Sequence, residues 1–198
     1  MPAHLTTGGA DDPFLPKLLH AIQHATEIDL AVAFIKSSGL ELIFDALAEA
    51  VTLRGARLRL LTSDYLDVTD PDALRKILLL GDEGAEAKVF EARERSFHLK
   101  AYIFVRTEGG EIIEGEAYVG SSNISRVALT GLMGISGSGS SKDQLRLSAP
   151  ALAFDSFASI SSIRPTASAT SSSLVPKPRL KRIEDSASSL SRPIALNT

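Results

Sequence analysis

The sequence predicts an α/β domain with a mixed sheet flanked by helices, on three observations. Between residues 13 and 91, apolar segments of strand character alternate with segments of helical period. Two neighbouring apolar runs, 97–106 and one ending at Val119, are separated by the polar stretch Thr107-Glu108-Gly109-Gly110-Glu111, which reads as an antiparallel hairpin. The alternation stops near Leu132, where the composition changes. At 198 residues and 44% hydrophobic content, the chain is long enough to bury a real core.

The elements follow in order. Asp12-Pro13 reads as a helix start, with Asp12 as N-cap and Pro13 at the first helical position. Leu15, Leu18, Leu19 and Ile22 then form one helical stripe. Residues 28–34 read as a buried strand. Ser38-Gly39-Leu40-Glu41 has the pattern of a capping box, opening a helix whose stripe is Leu40, Ile43, Phe44, Leu47 and Val51. Residues 56–62 read as a strand, with Leu58 and Leu60 facing away from Arg57, Arg59 and Leu61. Asp70-Pro71 starts a third helix through Leu74, Ile77 and Leu78, and 87–91 is a short strand. The hairpin follows, then Gly120-Ser121-Ser122-Asn123 and a short helix from about Asn123.

Charge divides the chain. Residues 1–132 hold 13 Lys and Arg against 20 Asp and Glu; residues 133–198 hold 8 against 4. Serine accounts for 7 of the first 132 residues and 17 of the last 66. The expected organisation is therefore a domain over 13–132 and a Ser/Pro-rich, low-order tail over 133–198. With no Cys, disulfides and thiolate metal sites are excluded. The first twelve residues lack the basic start and apolar core of a signal peptide, and no apolar run reaches membrane-spanning length. The expectation is a cytoplasmic protein with no membrane partner. No broad basic surface is visible, so an anionic ligand would rely on local cations such as Lys100 and Arg126.

The candidate chemistry lies in His98 and Lys100, two residues apart in an apolar run. In a strand they share a face with Tyr102 and Phe104, leaving Phe97, Leu99, Ala101, Ile103 and Val105 to pack into a core. A nucleophilic imidazole beside a fixed cation suits phosphoryl chemistry. Phosphodiester cleavage builds negative charge on non-bridging oxygens, which a Lys and preplaced neutral donors stabilise.

His98-Leu99-Lys100 followed by Gly120-Ser121-Ser122-Asn123 resembles the HKD motif of the phospholipase D superfamily. With the upstream strand at 28–34 and Arg54-Gly55-Ala56-Arg57-Leu58-Arg59-Leu60-Leu61-Thr62-Ser63, it is similar to the phospholipase-D-like module of bacterial DEAD/DEAH-box helicases and of some restriction endonucleases. The resemblance covers about residues 13–132. It implies an α-β-α sandwich and a phosphodiesterase or nuclease acting on DNA through a phosphohistidine. His98 would be the nucleophile. Lys100 would grip phosphate oxygens together with Ser121, Ser122 and Asn123, with Asn123 counted in the catalytic set. It implies no metal and no cofactor. Relatives build one site from two motifs, and this chain has one copy, so the resemblance implies a homodimer, with a helicase as a further partner. Val105 stands where the motif has an Asp. The residues after Leu132, Met133-Gly134-Ile135-Ser136-Gly137-Ser138-Gly139, replace the segment in which relatives carry the acid that orients the His. One reading is that the frame is shifted or the tail replaced past Leu132, leaving the domain incomplete at its end; translating the other two frames tests it.

Alternatives stand beside this reading. The fold could serve without catalysis, in dimerisation or nucleic-acid docking. A lipid phosphodiesterase is disfavoured because no interfacial helix is visible. His98 could be an ordinary strand histidine, and the Gly-Ser-Ser-Asn turn a helix start capped by Ser122 or Asn123. His20 and His24 share a helix face, but with no third ligand in view they read as solvated. Arg126 could reach a phosphate but reads first as a surface residue, and the Lys177–Arg182 cluster could touch nucleic acid but reads first as a solvated tail.

Overall fold

The structure is a computed structural model; it describes residues 3–64, 67–92, 97–131, 144–150 and 180–182. The chain runs β1 (Ala3–Thr6), α1 (Phe14–His24), β2 (Glu27–Val32), α2 (Ser37–Leu40), α3 (Phe44–Thr52), β3 (Arg57–Ser63), α4 (Pro71–Gly81), β4 (Glu86–Phe90), β5 (Lys100–Glu108), β6 (Glu111–Gly120), α5 (Arg126–Thr130), β7 (Gln144–Pro150) and β8 (Leu180–Arg182). The strands form one mixed sheet in the order β1-β7-β6-β5-β2-β3-β4-β8. β2, β3 and β4 are parallel, joined by helical crossovers; every other neighbour pair is antiparallel. The mixed sheet flanked by helices is thus as expected. The alternating strand and helix periods dictate it, because each crossover helix must bury its stripe on the sheet.

That burial is one-sided. Ile28, Leu30 and Val32 of β2, Leu58 and Leu60 of β3, and Tyr102 and Phe104 of β5 are buried in one cluster with Phe14, Leu18, Ile22, Leu47, Leu74 and Ile77 from the helices. Phe14 meets the rings of Tyr102 and Tyr118 edge-on, at 5.1 and 5.0 Å between centroids. The opposite face carries cross-strand ion pairs. Arg59 grips Asp29 with Nε (2.6 Å to Oδ1) and a second guanidinium nitrogen, and Arg57 reaches Glu27. The Leu/Arg alternation of β3 therefore divides core from surface as its period predicts.

Four local expectations are corrected. Pro13, not Asp12, occupies the cap position of α1. The Asp12 carboxylate instead accepts from Thr7 N–H at 3.0 Å and pairs with Lys17. The capping box does not form: the helix is split into α2 and α3, and Lys36 sits at the α2 cap position. In β5 the core face is Tyr102 and Phe104, while Ile103 and Val105 are only partly covered. Pleat parity, which sequence cannot anchor to a side, puts Tyr102 beneath Phe14 and Phe104 against Tyr118. Finally, the hairpin tip narrows to Gly109-Gly110, both at positive φ (61° and 88°), as a two-residue turn requires.

Of residues 133–198, Gln144–Pro150 and Leu180–Arg182 are described and run as the strands β7 and β8, within the stretch expected as a low-order tail. The rest of the expected low-order tail, its frame and the orienting acid lie outside the described residues.

Candidate phosphate site

The site stands at the end of the sheet where β2, β3 and β6 finish and β5 begins. In open α/β sheets this carboxyl end of the strands is where crevices form. Lys100 is the first residue of β5, paired with Val32, the last of β2. Beside it, Ala101 pairs with Val119 near the end of β6. The chain then turns through Ser121–Asn123, and Ile124 forms an isolated parallel bridge with Ile35 just beyond β2. Two loops distant in sequence are thereby laid side by side.

Asn123 is buried, and its Oδ1 accepts from Phe34 N–H at 3.2 Å. A backbone N–H can only donate, so this contact fixes which end of the carboxamide is oxygen and directs the NH₂ to the other side. Ser122 is also buried. Its hydroxyl donates inward to the Ala128 carbonyl (3.4 Å), and its own carbonyl accepts from Tyr102 Oη–H (2.9 Å). Complete burial pushes the Tyr102 phenol up, so it stays a neutral donor. Ser122 thus supports the turn from within, whereas Ser121 is exposed. The helix after the turn begins at Arg126. Its cap is Ser125, whose hydroxyl accepts from Ala128 N–H (3.3 Å), in place of the expected Ser122 or Asn123.

His98 is exposed and precedes β5, so it and Lys100 are not neighbours on one regular strand face. They are brought together in another way: Lys100 Nζ donates to the His98 carbonyl at 2.7 Å. Lys100 belongs to the pleat face of Tyr102 and Phe104, at the point where the core ends, and is partly buried. Val105 lies at the far end of β5, opposite Glu27 and Gly115. Arg126 is exposed at the start of α5.

Sequence reasoning missed the supports of this site. Phe34 holds Asn123, while Lys36 and Asp70 hold the loop beyond β2. Gly39 lies so close that an added Cβ would fall 2.4 Å from Ser125 Cα and N. A lone Gly inside a helical pattern was the available signal, since it often marks a close approach. Among the described residues no group of three or more His, Cys, Asp or Glu is placed to hold a metal ion. The rings of His20 and His24 lie 4.3 Å apart on α1, tilted at 41°, and the His24 Nδ1 bonds the His20 carbonyl. They line a cavity with Arg106 and Glu114 at the opposite end of the sheet, away from His98. No described helix is long and apolar enough to cross a membrane.

In structure the chain is similar to NucT from Helicobacter pylori, at 15% identity and a TM-score of 0.52, covering 80% of this chain and 92% of that one. It is also similar to a polyphosphate kinase from Porphyromonas gingivalis, at 14% identity and a TM-score of 0.50. That likeness covers 85% of this chain but only 27% of the kinase. A search of curated proteins finds no match. Residues 18–133 match the family described as cardiolipin synthase, PLD-like domain. That stretch is more than half of the sequence and holds His98, Lys100 and the Ser121–Asn123 turn; the chain belongs to this phospholipase-D-like family.

Proposed function

We propose that the protein is a phosphodiesterase that cleaves DNA. The observation that carries this reading is that Lys100, at the start of β5, and the Asn123 carboxamide, oriented by Phe34, stand at the same end of the sheet as the exposed His98. Membership of the phospholipase-D-like family and the structural likeness to NucT agree with it. In the proposed reaction, a ring nitrogen of His98 attacks phosphorus and forms a P–N bond as the P–O bond to the leaving nucleoside breaks. The leaving oxygen takes a proton from His98 of the partner subunit, and water then releases the phosphate from the first imidazole. Lys100, Asn123 and the exposed Ser121 hold the non-bridging oxygens while negative charge gathers there. Ser122 serves through the shape of the turn.

A homodimer and a cytoplasmic role beside a helicase belong to the same proposal, with no metal or cofactor taking part. One observation favours the non-catalytic alternative of docking or dimerisation: the Lys100 ammonium is engaged with the His98 backbone. The deciding experiment is cleavage of labelled DNA in EDTA by the full chain, with its mass in solution measured in parallel. Metal-independent cleavage lost in His98→Ala and Lys100→Ala supports the enzyme. A folded wild-type dimer that binds DNA without cutting it leaves only the docking role.

A further inference from the structure

The loop leaving β2 is held at five consecutive residues. The Ala33 carbonyl accepts from Ser63 Oγ (2.7 Å), and Phe34 N–H donates to Asn123 Oδ1 (3.2 Å). The Ile35 carbonyl accepts from Asp70 N–H (2.8 Å), and Lys36 N–H donates to the Ile124 carbonyl (2.8 Å). Ser37 N–H donates to Asp70 Oδ2 (2.9 Å). The loop thus has Asp70 on one side and the Asn123 turn on the other.

Asp70 is used unusually. It stands at the cap position of α4, yet its side chain makes no bond to that helix. One oxygen takes Ser37 N–H, the first amide of α2, and the other takes Lys36 Nζ at 2.9 Å. A cap that sequence assigns to its own helix is spent on a neighbouring loop, through two charge-assisted bonds. Partial burial raises the Asp70 pKa, but the Ser37 amide and Lys36 ammonium outweigh it and hold the carboxyl below its usual range. From the other direction, Gly39 lets α2 lie directly on Ile124 and Ser125, where any side chain would meet backbone at 2.4–2.6 Å.

We infer that Asp70 and Gly39 are positioning residues for the Asn123 carboxamide, acting through the loop at 33–37. The functional consequence rests on the reading of Asn123 as a phosphate ligand; the mechanical coupling does not. The experiment therefore has two readouts on the full chain. Amide hydrogen exchange at Phe34 and Lys36 reports the coupling. In Asp70→Ala it is expected to quicken by about tenfold or more relative to the β5 and β6 amides, as in local opening. Cleavage of DNA reports the consequence. Asp70→Ala and Gly39→Ala are each expected to lower kcat/KM on the order of tenfold to a hundredfold, as a misplaced group does. The same substitutions made on Asn123→Ala are expected to cost little more, because the group they position is gone. Asp70→Asn, which keeps an acceptor for Ser37 N–H, should restore part of the loss; if Asp70→Ala does not fold, it carries the exchange test alone. Unchanged protection at Phe34 overturns the inference, and so do losses that simply multiply in the double variants. If the wild-type chain neither binds nor cuts DNA, the proposed function fails while exchange at Phe34 still decides the coupling.

Discussion

The two halves of the site are built in opposite ways. The Asn123 half is buried: its carboxamide is tied to Phe34, its neighbour Ser122 is braced by Tyr102 and Ala128, and α2 presses on it through Gly39. The His98 half is exposed, lies ahead of its strand, and shows a lysine joined to the His98 backbone. Neutral donors lose most of their value if they can rotate, so the fold preorganises them. On the proposed reading, the imidazole and ammonium must meet a substrate and a second subunit, so they stand at the surface.

The contrast breaks most sharply on substitution at its two extremes. Gly39→Val should destabilise the fold by about 2–4 kcal/mol, because the obstruction is backbone rather than a movable side chain. His98→Ala should change stability by no more than about 0.5 kcal/mol, as exposed positions usually do, while abolishing cleavage. Urea midpoints with an unchanged m-value check both. If His98→Ala unfolds the domain, or Gly39→Val leaves it intact, the division into a buried brace and an exposed tool is wrong.

Asn123→Ala is expected to cost about 1–3 kcal/mol, because it strands the Phe34 N–H in a partly buried loop. Ser121→Ala, at the exposed corner of the same turn, should change stability little, and thermal melts of the pair sharpen the contrast. Near the buried half, the Thr62 hydroxyl on β3 is fully buried and has no hydrogen-bond partner among the described residues. Thr62→Val keeps its shape and removes that desolvated group, so a gain of up to about 1 kcal/mol is expected in the same melts.

The smallest effect is in pH. The Asp70 carboxyl is held below its usual range in the folded chain, so its contribution is fully present above the unfolded value near about 4. It is lost as pH falls through the lower folded value. Stability measured from pH 5 downward should therefore fall less steeply in Asp70→Asn than in wild type. Identical acid limbs would show that the Lys36–Asp70 pair carries no linked energy.

The elements were largely legible in sequence because their signals are local. Asp70-Pro71 marks the start of α4, the Gly109-Gly110 tip marks the hairpin, and the Leu/Arg alternation marks β3. The misread features depend on partners far along the chain. Ser38 and Glu41 have capping-box spacing, but Ser37 N–H is satisfied by Asp70, 33 residues away, so no box is needed. Tyr102 and Ile103 are equally suited to a core, and the Tyr102 face is the one on which Phe14 and the other helix residues of the cluster pack. His98 and Lys100 were legible as a pair of residues. Their strand-face geometry was not, since β5 begins at Lys100.

By itself, then, the sequence determined the α/β order and the mixed sheet, and it singled out His98, Lys100 and Asn123 as candidates for the chemistry. Periodicity and residue type are properties of a short window. The tertiary structure decided how the site is held: Asn123 oriented by Phe34, the β2 loop gripped by Asp70, and α2 admitted against the turn by Gly39. Each of these contacts joins segments 30 or more residues apart. A hydrogen bond or a missing Cβ at such a distance leaves no mark on local pattern until the sheet has brought the two loops together.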